Sequence, residues 1–329
     1  MTNDDVLYVT KESAEWWRQA VIYQIYPRSF ADGNGDGMGD LQGVTQRLES
    51  LQELGIDAIW FSPFFKSPQK DAGYDVSDYK DIDPLFGTLA DFDALLARAH
   101  SLGLRIIVDL VPNHTSDQHE WFKAAVAAGK GSPERDMYIF RDGKGWFGRK
   151  EPNNWPSVFG GSTWTRITEP NGKKGQWYLH IFTPWQPDFN WENDDVKDHF
   201  DRMLTFWFDR GVEGFRVDAV GVVGKTEGLP DQVIDPAAGT ATAGSAAGTA
   251  RGSIFSGTRG SIAVGVQPAI SRASRTMPAV RLRVIPAPII KASSRPVIPS
   301  VTGEDRRSTS AGTVIKNSHC TTTITTSIA

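Results

Sequence analysis

The sequence predicts an α/β fold, because short apolar runs and amphipathic segments alternate along the chain with short links between them. Two further observations refine that prediction. Residues 113–193 are too long for a simple connection and are rich in Trp, Gly and Pro, which indicates a small domain inserted after the third strand. The large aromatic residues then stop, since all 11 Trp and 7 Tyr precede Lys225 and, of 17 Phe, only Phe255 follows it.

The pattern of apolar residues predicts each element of the first part in turn. Strands are expected at 20–26, 58–62, 105–111 and 214–220, and helices at 41–54, 88–102 and 196–208. A closed barrel of eight β/α units needs four more strands. The candidates after Lys225 are weak, and they lie at 262–266, 280–286 and 289–290. Without a continuation, the fourth strand is expected to have an unpaired edge.

Charge divides the chain near the same point. Residues 236–329 contain 11 Lys and Arg against two acids, so this part carries +9 and the overall charge of −4 leaves −13 for residues 1–235. The acidic, aromatic-rich first part argues against nucleic acid as a partner and suits a neutral, hydroxylated ligand. A basic extension that binds a partner remains the alternative interpretation of the tail.

Nothing in the sequence predicts a membrane span or a secretion signal. Residues 1–18 contain acids and no apolar core, and the single Cys320 gives no disulfide framework. These features predict a cytoplasmic protein without a membrane partner, and they leave the oligomeric state open.

Residues 32–40, which read DGNGDGMGD, predict a calcium loop. Oxygen-bearing side chains stand at alternate positions, and the glycines permit tight turns, which is how a single loop wraps a hard cation. The expected ligands are Asp32, Asn34, Asp36, Asp40 and the carbonyl group of Met38. A solvated turn is the alternative.

Two motifs at predicted strand ends carry candidate catalytic groups. Residues 109–114 read DLVPNH after the third strand, and residues 214–220 read GFRVDAV in the fourth. Arg216 and Asp218 are two positions apart, so their side chains share a face if both lie on a strand. An arginine beside a carboxylate keeps it ionised and oriented, as a nucleophile requires. The alternatives are a buried structural ion pair and a purely structural role for the first motif.

Together with residues 71–75 (DAGYD) and 186–190 (QPDFN), these motifs resemble glycoside hydrolase family 13, and within it the α-glucosidase and oligo-1,6-glucosidase group. The resemblance covers residues 16–224, and the order and spacing of its motifs make it specific. It implies a (β/α)8 TIM barrel of which only the first four β/α units are recognisable. The implied domains are 1–112 (first part of the barrel), 113–193 (inserted domain B), 194–224 (third helix and fourth strand) and 225–329 (a low-aromatic tail, frameshifted or disordered).

The resemblance also implies roles for individual residues. Asp218 would be the nucleophile, with Arg216 as its partner. The terminal glucose would be held by Asp71, Tyr74, His114, Phe159, Phe182 and Arg216, with Asp109 and Asn113 supporting the site from behind. The segment 32–40 resembles the calcium loop of the family, which makes a structural Ca²⁺ ion the implied cofactor.

The implied activity is that of a retaining α-glucosidase acting on the non-reducing ends of α-1,4-linked or α-1,6-linked maltooligosaccharides or disaccharides. Ala219 follows the nucleophile where 1,6-preferring relatives tend to have Val, which favours α-1,4 linkages. A trehalose synthase-like or sucrose-acting enzyme of the same family is one alternative. A non-catalytic saccharide-binding protein is the other.

One catalytic group is missing from the sequence. Retaining hydrolysis needs a second carboxylate about 5–5.5 Å from the nucleophile, and the resemblance implies a Glu at the end of the fifth strand. Glu227 follows the fourth strand too closely, and Glu304 has no aromatic neighbour. The His-Asp pair expected of the seventh strand is absent too, because His319 precedes Cys320. The sequence therefore predicts a shift of reading frame between residues 224 and 236 and a catalytically impaired chain.

Overall fold

The structure is a computed structural model that describes residues 16–232 and the backbone of 261–263, 313–318 and 321–324. The strands, in chain order, are β1 (Ile22–Ile25), β2 (Ala58–Phe61), β3 (Phe65–Lys66), β4 (Asp78–Ile82), β5 (Arg105–Leu110), β6 (Phe140–Arg141), β7 (Trp164–Thr168), β8 (Lys174–Leu179), β9 (Gly214–Val217), β10 (Ser261–Ala263), β11 (Thr313–Ser318) and β12 (Thr321–Ile324). The α-helices are α1 (Pro27–Phe30), α2 (Leu41–Glu53), α3 (Leu89–Ser101), α4 (Glu120–Ala128), α5 (Pro133–Asp136), α6 (Asp194–Arg210) and α7 (Val220–Val223), and 3-10 turns lie at Trp16–Arg18 and Trp146–Gly148. Within these residues, none of the helices combines the length and the apolar composition needed to cross a membrane.

A seven-stranded sheet with the order β10-β9-β5-β2-β1-β11-β12 forms the centre of the protein. Its strands β1, β2, β5 and β9 are parallel to one another, and α2, α3 and α6 lie in the connections between them. These are the four strands and three helices that the sequence predicts, so the α/β prediction is confirmed. The register sets Asp109 of β5 opposite Arg216 of β9.

The fourth strand is shorter than predicted. β9 ends at Val217, because Ala219 adopts a left-handed backbone with φ of 49°, and α7 then forms a single helical turn. A left-handed residue cannot continue a strand, so the predicted range 214–220 was wrong at its C-terminal end. Asp218 nevertheless stays attached to the sheet, since its backbone N–H donates to the carbonyl group of Leu110 at 2.7 Å.

The prediction of an unpaired edge at the fourth strand was also wrong. β10 pairs antiparallel with β9, which sets Ile262 opposite Arg216, and β11 pairs antiparallel with β1. Strand pairing uses backbone N–H and C=O groups that every non-proline residue carries, so the unusual composition of the tail does not prevent it. β10 overlaps the predicted strand 262–266, β11 and β12 were not predicted, and 280–286 and 289–290 lie outside the described residues.

Side-chain caps determine where the three long helices begin. The carboxylate of Asp40 accepts a backbone N–H at the start of α2, and Asn193 does the same for α6. Thr88 and Asp91 form a reciprocal capping box at the start of α3. Gly211 ends α6 in a left-handed conformation, which glycine adopts without steric cost.

An aromatic cluster fixes α6 against the rest of the protein. Trp207 is fully buried, stacks on Phe65 with 5.0 Å between ring centroids and meets Phe92 edge-on at 5.3 Å. Its Nε1 group also donates to the carbonyl oxygen of Tyr79 at 2.8 Å. The core therefore joins α3, α6 and the β3–β4 hairpin into one body.

Residues 113–193 connect β5 to α6, and they contain α4, α5 and a separate antiparallel sheet with the order β6-β8-β7. A second buried cluster, which includes Trp155, Trp164 and Leu179, packs within this segment. Leu229, from the chain that follows α7, completes the cluster. This is the segment that the sequence assigns to an inserted domain.

Candidate active site

The centre of the site is an arginine held between two carboxylates at the C-terminal ends of β5 and β9. Nη1 of Arg216 lies 3.1 Å from both carboxylate oxygens of Asp109 and 2.6 Å from Oδ1 of Asp218. Nε1 of Trp60, on β2, donates to Oδ2 of Asp109 at 3.1 Å, and the guanidinium lies 5.1 Å from the centroid of the Trp60 ring. The structure thus brings three of the predicted site residues together, and it adds Trp60, which the sequence did not indicate.

The two carboxyl groups differ in how deeply they are buried. The side chain of Asp109 is 0% exposed, whereas that of Asp218 is 18% exposed. Burial raises the pKa of Asp109 to about 8, and Arg216 opposes this rise. Burial also raises the pKa of Asp218, again against the effect of Arg216. A partly accessible carboxylate oriented by a guanidinium is suited to nucleophilic attack, while the inaccessible one is suited to hold the arginine in place.

A second polar cluster lies beside the first. Nε2 of Gln186 donates to Oδ2 of Asp71 at 2.7 Å and lies 3.2 Å from Nε2 of His114. Burial raises the pKa of Asp71, Gln186 opposes that rise, and the charge of Asp218 adds to it. The two clusters are therefore close enough to interact electrostatically. Gln186 belongs to the QPDFN motif, but its own role was not predicted.

The turn that carries Asp71 and Tyr74 requires its glycine. Gly73 has φ of 99°, and a Cβ atom at this position would lie 2.8 Å from the carbonyl oxygen of Pro63. No other residue fits both constraints without strain. Burial raises the pKa of Tyr74, the neighbouring carboxylate charges add to the effect, and Arg216 opposes it. Asp71 and Tyr74 therefore both lie close enough to Asp218 to interact with it electrostatically.

Two phenylalanine rings border the polar clusters. The ring centroid of Phe182 lies 5.0 Å from that of His114, and the ring centroid of Phe159 lies 6.0 Å from that of Phe182. Phe159 is 66% exposed, which is unusual for so large an apolar side chain. An exposed aromatic ring next to groups that bind hydroxyls offers a stacking surface to the apolar face of a sugar.

A buried ion pair lies behind His114. Nζ of Lys225 is 3.0 Å from Oδ2 of Asp188, and the two side chains are 7% and 0% exposed. Asn113 lies between this pair and the imidazole, where the sequence expected it to support the site. Lys225 was not predicted to have a role. In the sequence it is a single cation that follows the apolar turn α7 after one glycine, and this pattern does not indicate a function.

The residues of the predicted calcium loop bond mainly to their own backbone. Oδ1 of Asp32 accepts from the N–H of Gly35 at 2.6 Å and Oδ2 from that of Gly37 at 2.7 Å, while Asp40 is committed to the cap of α2. Within residues 16–232, no three His, Cys, Asp or Glu side chains form a group suited to a metal ion. This geometry is not a formed calcium cage, so calcium binding stays a prediction and no step below depends on it.

Known proteins match the part of the chain that contains this site. The family model described as alpha amylase, catalytic domain, matches residues 24–249. The chain is 50% identical over 216 residues to the oligo-1,6-glucosidase of Parageobacillus thermoglucosidasius, which covers 66% of this chain and 37% of that protein. It is 51% identical over 218 residues to the trehalose-6-phosphate hydrolase of Escherichia coli strain K12, covering 66% and 38% respectively.

Solved structures match a similar share of the chain. The trehalulose synthase MutB from Pseudomonas mesoacidophila MX-45 is 50% identical, with a TM-score of 0.62, and the match covers 67% of this chain and 38% of that one. A mutant of MutB solved in complex with its substrate sucrose matches with a TM-score of 0.63 and the same coverage. This chain therefore spans about 38% of the length of the proteins that it matches.

Proposed function

The chain belongs to the family of alpha-amylase catalytic domains, and from that premise we propose that it carries the nucleophile half of a retaining enzyme acting on α-glucosides. The observation that carries the proposal is the 2.6 Å contact between Arg216 and Asp218 at the end of the fourth parallel strand, beside the Asp71–Gln186–His114 cluster. The four parallel strands then represent four of eight barrel units. Residues 113–193 represent the inserted domain, which separates the two barrel segments 1–112 and 194–224. Residues 225–329 represent the tail.

Asp218 has the position and orientation for the first chemical step. Its carboxylate would attack the anomeric carbon, so that a bond from carbon to the carboxylate oxygen forms while the glycosidic bond breaks. The leaving oxygen needs a proton, which a second carboxylic acid supplies in this mechanism. The resemblance implies a Glu for that role, the only glutamates after residue 224 are Glu227 and Glu304, and neither has the expected surroundings. We therefore infer that this chain is catalytically impaired.

The polar clusters support a terminal glucose as the group bound next to Asp218. Asp71, Gln186 and His114 present hydrogen-bonding groups that suit sugar hydroxyls, and Phe159 and Phe182 add apolar surface. Ala219 favours α-1,4 over α-1,6 linkages. The relatives include both hydrolases and a trehalulose synthase, so a sucrose-acting enzyme is the second candidate, and a saccharide-binding protein without activity is the third.

The proposal predicts saccharide binding without appreciable hydrolysis by the full chain. General acid–base catalysis contributes about 100- to 10,000-fold, so release of p-nitrophenol from its α-glucoside should fall at least about 100-fold below that of an intact relative. Binding of maltose, isomaltose and sucrose is measured by calorimetry in parallel, with His114→Ala as the variant that should lose it. Release at the rate of the relative would contradict the impairment. Absence of any sugar binding would contradict the site.

We propose that the unusual tail arises from a shift of reading frame between residues 224 and 236. The support is that aromatic residues, acidic charge and the expected Glu and His-Asp motifs all end at one place. Translation of the alternative frames of the gene should restore a strand containing the Glu, followed downstream by His-Asp. If neither frame contains them, the tail is native to the protein and the proposal is wrong.

We also propose that the loop at residues 32–40 binds calcium when the ion is present. The alternating oxygen side chains support this, and they would have to turn from the backbone N–H groups toward the ion. Calcium at about 100 times its dissociation constant would add about 2.7 kcal/mol to the free energy of unfolding. Melting in calcium against a chelator measures this. Asp36→Asn should reduce the shift, whereas Asp142→Asn, on the distant β6–β8 side, should leave it unchanged.

A cytoplasmic location is likewise a proposal. It is supported by the single cysteine, which gives no disulfide framework. The acidic charge of residues 1–235 argues against binding to nucleic acid. Fractionation of cells that express the gene should recover the chain with the cytosolic enzymes, and recovery in the secreted fraction would contradict the proposal.

A further inference from the structure

The role of His114 depends on which of its ring nitrogens carries the proton. Burial lowers the pKa of His114 to about 3, so the imidazole is neutral near pH 7 and has one N–H donor and one acceptor nitrogen. Nδ1 lies 3.1 Å from Nδ2 of Asn113, and Nε2 lies 3.2 Å from the carbonyl oxygen of Tyr74. The groups on these two sides therefore decide the tautomer.

Lys225 is an ammonium, because the polar atoms that surround its Nζ group are oxygen atoms that accept hydrogen bonds or carry negative charge. Nζ lies 2.8 Å from Oδ1 of Asn113 and 3.0 Å from Oδ2 of Asp188, and it donates to the carbonyl oxygen of Val222. An ammonium has three N–H donors and no acceptor. Burial lowers the pKa of Lys225, but the adjacent carboxylate of Asp188 opposes this effect. The geometry therefore fits the charged pair.

The charged pair fixes the orientation of the Asn113 amide. Because Lys225 can only donate, the atom that faces it must be the amide oxygen. The amide nitrogen then lies 3.1 Å from Oδ1 of Asp188, which accepts one of its two hydrogens. A flipped amide would set an NH₂ group against the ammonium and an oxygen against the carboxylate. The second hydrogen of the NH₂ group is therefore directed at Nδ1 of His114.

We propose that the buried Lys225–Asp188 pair fixes the tautomer of His114 through Asn113, so that the imidazole is a neutral Nε2–H donor. Nδ1 must accept from the oriented amide, which leaves the proton on Nε2, where the carbonyl oxygen of Tyr74 can only accept. The contacts with the Asn113 amide and with the Tyr74 carbonyl group thus favour the same tautomer. Lys225 is a positioning residue in this scheme, because it acts on the site only through Asn113.

The contact with Gln186 is the one that disfavours this tautomer, because the amide NH₂ group then faces the Nε2–H group of His114. Nε2 of Gln186 lies 3.2 Å from Nε2 of His114, but one of its hydrogens is already donated to Asp71. The other hydrogen and the Nε2–H group of His114 are then two donors side by side, next to the carboxylate acceptor of Asp71. One sugar hydroxyl can accept from the donors and donate to the carboxylate. This last step rests on the proposed function, whereas the tautomer does not.

The tautomer is measured directly on the full chain by NMR with ¹⁵N-labelled histidine, without any sugar. Correlations between ring nitrogens and carbon-bound protons distinguish Nε2–H from Nδ1–H, and the signal of His114 is the one lost in His114→Gln. We expect Nε2–H at pH 7 in the native chain. In the double variant Lys225→Met with Asp188→Asn, loss of one oriented hydrogen bond should change the tautomer ratio about fivefold or more.

A second buried ion pair provides the matched control. Arg135 and Glu169 lie 2.8 Å apart with side chains 3% and 16% exposed, and their partners are in the segment around α4 and β7–β8. The double variant Arg135→Met with Glu169→Gln removes a comparable pair and should leave the His114 tautomer unchanged. An equal change in both double variants would mean general loosening and would overturn the proposal.

The remaining outcomes are also decisive. An Nδ1–H tautomer in the native chain, or an unchanged ratio in the Lys225–Asp188 variant, would contradict the proposal. If that variant does not fold, Asn113→Leu carries the test, because it removes the amide and keeps the ion pair. Maltose is then added to the native chain. A shift of the Nε2–H signal supports the sugar contact, whereas no shift together with an Nε2–H tautomer contradicts the proposed function and leaves the tautomer inference standing.

Discussion

Replacement of Arg216 by Met is expected to lower the free energy of unfolding by about 1–3 kcal/mol at pH 7, because it removes the guanidinium donor from the fully buried carboxyl group of Asp109. Asp109 is fully buried, and Arg216 lies within 3.1 Å of both its carboxylate oxygens. The Nε1–H of Trp60 remains as a donor in the variant, but it carries no charge. Denaturant titration of the full chain measures the loss.

The loss should depend on pH with a defined sign. Burial raises the pKa of Asp109 in the folded protein to about 8, above its value of about 3.9 in an unfolded chain. The folded state therefore binds this proton more tightly, and the contribution of Asp109 to stability falls as the pH rises through that interval. Removal of Arg216 raises the folded pKa further. The difference between native and variant should accordingly shrink as the pH is lowered from 8 toward about 5.

Arg210→Met is the matched control for this experiment. Arg210 also pairs with an aspartate, Asp93 at 2.9 Å, but the two side chains are 25% and 48% exposed. Exposed pairs contribute about 0–1 kcal/mol, so this variant should remain close to the native chain at every pH. Equal losses in the two variants would show that the Arg216–Asp109 contact is not a buried charge pair.

The sequence predicted the parts of the fold that depend on local periodicity. Apolar runs and helical spacing located four parallel strands and three helices, and strand ends located Asp109, Arg216 and Asp218. The end of the fourth strand escaped prediction because it depends on the left-handed backbone of Ala219, a residue without a local preference for that conformation. The pairing of β10 and β11 escaped it because backbone hydrogen bonding requires no apolar pattern.

The supporting part of the site could not be predicted, because its members are far apart in sequence. Lys225 and Asn113 are separated by 112 positions, and Trp60 and Asp109 by 49. A single Lys or Trp has no spacing signal, since its partner is determined only when the strands align. The DAGYD and QPDFN motifs did indicate Asp71 and the neighbourhood of Gln186, because each motif has its polar residues within five consecutive positions.

Asp218 is expected to form a covalent bond with a glucosyl donor that needs no acid catalyst. Fluoride leaves α-glucosyl fluoride without being protonated, so attack by the Asp218 carboxylate breaks the bond from carbon to fluorine and forms the glucosyl ester. Hydrolysis of that ester needs a base to activate water, and the chain has no suitable second carboxylate in its recognisable motifs. The intermediate should therefore accumulate. The side chain of Asp218 is 18% exposed, which permits the approach of the sugar.

The most direct measurement is mass spectrometry of the full chain after incubation with α-glucosyl fluoride, followed by peptide mapping. The account predicts one added glucosyl group, located on the peptide that contains Asp218 and absent from Asp218→Asn. The control Asp231→Asn changes a surface carboxylate that pairs with Lys144 and should leave the adduct in place. An adduct on a different carboxylate, an adduct that persists in Asp218→Asn, or none in a chain that still binds maltose would contradict the assignment of the nucleophile.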